Sequence, residues 1–557
     1  MGCPSENAPA SYRPGWWHAC LAAGILCAGA ALHLAYLIRD CPLDLSGDEA
    51  HYWEWSRRLD WSYYSKGPLV AYIIALGRWA LADWSQRVVG SEMLAVRLPA
   101  IVLSIGSGLA IYTLALRAFR RPGVALAAVI LTCTVPILAV GAVLTTIDAP
   151  LTFCFLWGLV ACERGLRGPE TWPWIVAGVL IALGILAKYT MLLIFPVVGL
   201  AMLLEREYRP AWRRPGPYVA AGLGALGFVP ILIWNARHGW VSFRHVAGQA
   251  GVSGSITLNV AGVAEYVLGQ AAVIGPIWFF AMLVALVALW RRPDMGGGAR
   301  PVVRLVLCAV AVPWVAFLLF SPITKVQPNW PVLSVPPATI LLAGWLAHGL
   351  RSPAREVRRW TRGLVVAGTL FGGGSVILAH YTEALLPVFG WLARHEPPWE
   401  ETPVAKYDPA SRLRGWRMLG PAVGRHLTAL QAQGRDPFIV TDDYQVASQI
   451  AFYCPGHPPV YCLQAVLGDR ASQYDIWPNP IRDAERFVGR PCVYVGARKP
   501  ELFGGRDFSH AALREARLVE TVEYRLRGHL IRVWPVYMCE EYAGLPPELL
   551  SRVGARY

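Results

Sequence analysis

Two short runs, Ser46-Gly47-Asp48-Glu49-Ala50-His51-Tyr52-Trp53-Glu54-Trp55 and Tyr63-Tyr64-Ser65-Lys66-Gly67-Pro68, follow the first long apolar stretch of the chain. Carboxylates beside a bilayer are costly unless they are solvated, paired or used in chemistry, so this loop is a candidate reactive site. Asp48 and Glu49 are the candidate catalytic residues, because a carboxylate can take the proton of an acceptor hydroxyl. Glu49 reads equally well as a helix cap or an orienting group.

Lysine usage points to the other half of the chemistry. Of 51 basic residues only five are lysine, and three of these, Lys66, Lys188 and Lys325, fall at the ends of apolar stretches that a charge count places on one side. Positive charge is disfavoured on an outer face, whereas a compact ammonium suits a phosphate; snorkelling at the interface is the alternative. Asp148, in Thr146-Ile147-Asp148-Ala149-Pro150, is either a substrate ligand or an N-cap ahead of proline. His51, Tyr63, Tyr64, Tyr189 and Gln327 complete the candidate substrate-binding set, although the aromatics also fit an interfacial belt. No His or Cys cluster has metal-ligand spacing, so neither a metal nor another cofactor is expected.

One carboxylate base and a few lysines suffice for sugar transfer from a polyprenyl phosphate. The leaving phosphate has a second pKa of about 6 and needs no general acid, unlike the alkoxide released in glycoside hydrolysis. The cations then stabilise charge where it develops.

Such a site needs a scaffold in the membrane. The chain has 557 residues, of which 55% are hydrophobic and 16% charged, which excludes a soluble globule. Apolar runs, among them 123–140 and 262–290, predict a polytopic α-helical membrane protein with about eleven spans (range 10–13), some of the runs being short enough to be tilted or broken. The first run, 17–38, imitates a signal peptide but continues apolar past Ala28-Gly29-Ala30 and reads as a retained anchor. The formal charge of +14 comes largely from Arg in short connections. These alternate along the chain and place the N-terminus and basic loops inside, with 39–96, 141–148, 188–189, 235–261 and 321–329 outside. The charge therefore implies topology and no nucleic-acid partner. The segment 68–84 is expected to lie along the outer interface.

Composition shifts near 382. Beyond it, strand-sized runs at 437–441, 459–463, 492–495 and 529–534 alternate with helical pieces at 446–453 and 511–518, the pattern of a small α/β domain. The expected organisation is a transmembrane domain over 1–381 with a catalytic outer loop 39–96, followed by a soluble periplasmic α/β domain over 382–557. A disulfide between Cys454 and Cys462, flanking Pro455-Gly456-His457-Pro458-Pro459, is one option for the outer cysteines.

Five runs together resemble a known family: Asp48-Glu49-Ala50-His51-Tyr52-Trp53-Glu54-Trp55-Ser56, Tyr63-Tyr64-Ser65-Lys66-Gly67-Pro68, Thr146-Ile147-Asp148-Ala149-Pro150, Gly184-Ile185-Leu186-Ala187-Lys188-Tyr189-Thr190 and Asn329-Trp330-Pro331. In that order, over about 17–381, the chain resembles bacterial members of the protein O-mannosyltransferase superfamily, which includes the lipid A aminoarabinose transferase. The resemblance implies the glycosyltransferase C (GT-C) fold, a polyprenyl-phosphate sugar donor, metal independence and inversion at the anomeric carbon. It makes Asp48 the base and Lys66 the phosphate-binding lysine. Ser65 and Gly67 depart from the commoner Asp-Lys-Pro-Pro form. The acceptor implied is a lipid, a polysaccharide or a protein hydroxyl at the outer face of a bacterial inner membrane. The alternative from another class is a polytopic transporter or lipid flippase, which should carry ionisable groups near mid-bilayer; a non-catalytic envelope component is a third reading.

Overall fold

The structure, a computed structural model, describes residues 16–39, 41–249, 258–397, 401–467, 470–496 and 512–554. Its first part is built from α1 (Trp16–Arg39), α2 (Gly47–Arg57), α3 (Leu69–Val89), α4 (Met93–Phe119), α5 (Pro122–Thr132) and α6 (Pro136–Gly141). The bundle continues through α7 (Asp148–Arg167), α8 (Trp172–Ala187), α9 (Ile194–Leu204), α10 (Gly216–Ala225), α11 (Phe228–Arg237) and α12 (Val241–Gln249). It closes with α13 (Ala261–Ile274), α14 (Pro276–Arg291), α15 (Arg300–Phe320), α16 (Val335–Leu350), α17 (Arg355–His380) and α18 (Leu386–Ala393).

Among the described residues seven helices are long and apolar enough to cross a bilayer, or eight if the bent pair α13–α14 forms one span. Four shorter apolar helices accompany them. The protein is therefore a multi-pass α-helical membrane protein.

Two expected spans are broken. The run 262–290 turns by 109° between α13 and α14; Gly275 takes φ +91°, open to glycine alone at low cost, and Pro276 starts the next helix where its missing N–H is harmless. The run 123–140 divides at Cys133–Val135 because Pro136 cannot continue α5 and instead opens α6. Segment 68–84 is helical, as α3, and extends to Val89; it packs on α4 and α2 and is not among the span-like helices.

The terminal part contains α19 (Trp416–Ala432), β1 (Phe438–Thr441), α20 (Tyr444–Tyr453), β2 (Val460–Cys462) and β3 (Cys492–Val495). It ends with β4 (Leu513–Arg514), β5 (Arg517–Leu526), β6 (His529–Cys539), β7 (Glu541–Tyr542) and α21 (Pro547–Gly554). Five strands form a sheet in the order β2-β1-β3-β6-β5, parallel through β1, β2 and β3 and antiparallel at β6 and β5. The α/β expectation holds, with one correction: of the segment 511–518, whose first residue lies outside the described residues, 512–518 is not helical. Leu513 pairs with Tyr542, Glu515 takes φ +50° and Arg517 begins β5. Charged Arg517, Glu520, Glu523 and Arg525 on this edge strand oppose further strand addition. Cys454 and Cys462 are buried free thiols, so the disulfide considered above is not formed.

One apolar cluster fills the helical bundle. A second joins α2, α3 and the start of α4 to α19, α20 and the sheet. The loop bearing Asp48 is consequently seated in a core shared with the terminal domain. Asp44 fastens the seam, accepting from Trp416 N at 2.7 Å and pairing with Arg417 at 2.8 Å. Gln449 donates to Leu45 O at 2.6 Å, and Leu45 N donates to the Tyr453 hydroxyl at 2.8 Å.

Candidate functional site

Ser46 starts α2 with a capping box: its hydroxyl accepts from Glu49 N at 3.1 Å and its own N–H donates to Glu49 Oε2 at 2.9 Å. This sets Asp48 and Glu49 in the first helical turn, where the helix dipole favours acids. Successive residues point about 100° apart around a helix, so the two acids diverge.

Glu49 turns inward. Oε1 accepts from Arg97 Nε and from Thr145 N, both at 3.1 Å, and Oε2 accepts from Arg97 at 3.1 Å as well as from Ser46 N. Both members of this ion pair are essentially inaccessible to solvent. A carboxylate has about four lone-pair sites, and all four are taken. The pair ties α2 to α4 and to the turn before α7, a positioning task.

Asp48 turns outward. Its side chain is solvent-accessible although protein surrounds it closely, so it lines a recess. Among the described residues no hydrogen bond or ion pair engages it. Desolvation in the recess lifts its pKa above the usual carboxylate range, with Lys66 and Arg470 opposing the rise and Glu49 and Asp148 adding to it.

Lys66 faces the same recess. Desolvation, followed by the charges of Lys188 and Arg470, lowers its pKa to about 8 against the pull of Asp48 and Asp148. Its position depends on Gly67: a Cβ there would lie 2.2 Å from the carbonyl oxygen of Leu186, at the end of α8. The loop rests directly on that backbone, which explains why proline does not stand at this position. Gly67→Ala is expected to displace Lys66 and cut activity more than tenfold, with thermal stability changing far less; this is checked by transfer assays beside a melting curve.

α8 stops at Ala187, and Lys188 is extended, with φ −158° and ψ 135°. Its Nζ lies 2.8 Å from Asp148 Oδ1, and Asn329 Nδ2 donates to Asp148 Oδ2 at 2.8 Å. Asp148 is the first residue of α7 and makes no capping bond, so the cap reading gives way to an ion-pair hub joining three segments.

The other expected residues, Tyr64 apart, lie elsewhere. His51 packs against α20 instead of the recess, its Nδ1 3.0 Å from Ser448 Oγ and its ring 5.4 Å from that of Tyr474. Tyr63 is fully buried, stacked on Trp55 at 4.3 Å, and its hydroxyl donates to Trp55 O at 3.0 Å. Tyr64 borders the recess: its N–H donates to Gln473 Oε1 at 2.7 Å and its ring sits 5.1 Å from that of His245. Tyr189 lies among Phe228 and Phe243 at 6.2 Å ring separations. Lys325 and Gln327 are exposed on the turn before Asn329, which makes the contact instead.

Sequence reasoning missed two residues. Arg470, from the terminal domain, acts on Asp48 and Lys66, and His245, on α12, has its pKa lowered to about 3 by burial together with Arg470 and Lys66. No linear signal places Arg470 near residue 48.

The arrangement combines an acid free to accept a proton with two lysines across a recess at one end of a helical bundle. Residues 65–234 match the dolichyl-phosphate-mannose-protein mannosyltransferase family. The chain is 28% identical over 417 residues to the lipid A galacturonosyltransferase RgtD of Rhizobium johnstonii, covering 74% of this chain and 77% of that one. It is similar in fold to ArnT of Cupriavidus metallidurans bound to undecaprenyl phosphate, with 15% identity, TM-score 0.57 and coverage of 96% and 100%. The apo form of that protein gives 16% identity, TM-score 0.55 and coverage of 96% and 99%. Fold and comparisons together define a membrane glycosyltransferase. The comparisons support a place in the GT-C superfamily of glycosyltransferases.

Proposed function

We propose that this enzyme moves a sugar from a polyprenyl-phosphate donor to a hydroxyl of a lipid A-type acceptor on the periplasmic face of a bacterial inner membrane, where the domain beyond residue 382 also lies. The observation that carries this reading is Asp48, an unengaged carboxylate in a recess that it shares with Lys66 and Lys188. The relatives' printed activities and carrier supply the substrate classes: a lipid A acceptor, an undecaprenyl carrier and, from the galacturonosyltransferase, a uronic acid as the sugar.

In this reaction Asp48 takes the acceptor hydroxyl proton as the oxygen attacks the anomeric carbon. The bond from that carbon to the phosphate oxygen breaks, its electron pair leaves on the polyprenyl phosphate, and the configuration inverts. Lys66, with Lys188 behind it, stabilises the departing phosphate. Lys188 stays oriented because Asp148 holds it at 2.8 Å, and Asp148 is itself held by Asn329. Glu49 acts through Arg97 to aim the helix turn that carries Asp48. An elevated pKa makes Asp48, once deprotonated, a stronger base than an ordinary carboxylate.

Transfer from a labelled polyprenyl-phosphate sugar to lipid A, by membranes with and without this chain, tests the reading; no transfer with any such donor refutes it. The pH dependence has a defined sign. Asp48 must be deprotonated, so kcat/KM falls as pH drops through a value above the ordinary carboxylate range. Lys66 must be protonated, so it falls again as pH rises through about 8. Lys66→Arg is expected to move the alkaline limb upward, since a guanidinium stays charged.

A further inference from the structure

We infer that Arg470 is a specificity-determining residue: it reaches from the terminal domain to bind a carboxylate on the transferred sugar, giving the enzyme its selectivity for an acidic sugar donor. The inference rests on the proposed transfer reaction and names what the same site recognises.

The geometry begins with the turn that follows Arg470. Ser472 and Asp475 form a reciprocal cap, with Ser472 N donating to Asp475 Oδ2 at 2.7 Å. This turn docks on the catalytic loop, where Gln473 Oε1 receives Tyr64 N at 2.7 Å and the Tyr474 ring stacks on His51 at 5.4 Å. Gln473, Tyr474 and Asp475 are all buried, so the approach to the recess is rigid. Arg470, two residues ahead of the cap, is exposed, and among the described residues it forms no ion pair. The bond from Tyr64 N to Gln473, three residues after Arg470, brings this arginine to the loop that carries Lys66, and its charge acts on Asp48, Lys66, Tyr64, Tyr444 and His245.

Chemistry separates the two kinds of cation. Lys66 and Lys188 come from the membrane-side segments and carry point charges suited to a phosphate. Arg470 comes from the terminal domain and brings a planar fork that matches a carboxylate through two parallel hydrogen bonds. The sugar lies between the phosphate and the base, within reach of a guanidinium beside Asp48. Position 65 is serine, so no acid next to Lys66 repels a negatively charged sugar.

The test uses the full-length protein in lipid nanodiscs with two donors that differ only in the sugar, a polyprenyl-phosphate hexuronate and the corresponding neutral hexose. Direct binding and kcat/KM are measured for each. Wild type is expected to prefer the uronate, and Arg470→Gln to lose roughly a hundredfold in affinity and kcat/KM for it while changing by less than about threefold with the hexose. Arg470→Lys should retain part of the preference. Equal losses on both donors overturn the inference in favour of a phosphate contact, and no change on either overturns it outright. Absence of transfer by wild type with both donors refutes the proposed reaction, whereas the binding preference still decides the role of Arg470.

Discussion

Asp48→Asn is expected to lower sugar transfer by roughly a thousandfold, within the 10²–10⁴ range that positioned general bases contribute. The substitution keeps the shape of the side chain and removes only its capacity to take a proton. Donor binding should persist within a few-fold, because Lys66 and Lys188 are untouched and lose only a neighbouring negative charge. Transfer and equilibrium binding of a labelled donor, measured on the same nanodisc preparation, distinguish this from misfolding. Unimpaired transfer would remove Asp48 from the mechanism. Loss of binding together with transfer would make it a donor ligand instead.

Arg97→Met is expected to act on stability. Arg97 donates to both oxygens of Glu49 and to Asp44 O at 2.7 Å, in surroundings that exclude solvent. Removing one partner strands a buried charge, a cost of about 3–5 kcal/mol, whereas replacing both partners by fitting neutral groups costs much less. The single variant should therefore melt well below wild type in detergent, and Arg97→Met combined with Glu49→Gln should recover part of the loss. Asp48→Asn, at an unengaged side chain, should melt near wild type. A wild-type midpoint for Arg97→Met would refute the positioning role of the Glu49–Arg97 pair. Two adjacent acids are thus expected to separate into one whose loss stops chemistry and one whose partner's loss weakens the fold.

Much of the site is legible as chemical anomaly. Acids in a chain this apolar, and lysines in a chain that otherwise uses arginine, point to Asp48, Asp148, Lys66 and Lys188 without any coordinates, and all four border one recess. The aromatic residues are less legible. His51 and Tyr63 fit a membrane interface by type, yet α20 and its neighbours cover the loop and turn them into core. Lys325 carries the expected charge, but it is Asn329 that the turn brings to Asp148. In the terminal domain, charged residues obscure the period-two pattern of β5, and the helical reading of 511–518 fails because strand pairing at Leu513 outweighs local preference.

Hydropathy and residue type, being properties of the chain itself, determined that this protein crosses a membrane many times, carries an α/β domain after the helical part and gathers acids, aromatics and a lysine in its first large loop. Tertiary structure alone decided which of two neighbouring acids is available, since that depends on Arg97 arriving from α4. It alone brought Arg470 over Asp48 from more than four hundred residues away. Burial and pairing are set by whatever the fold lays against a residue, and a linear pattern carries no record of partners that distant.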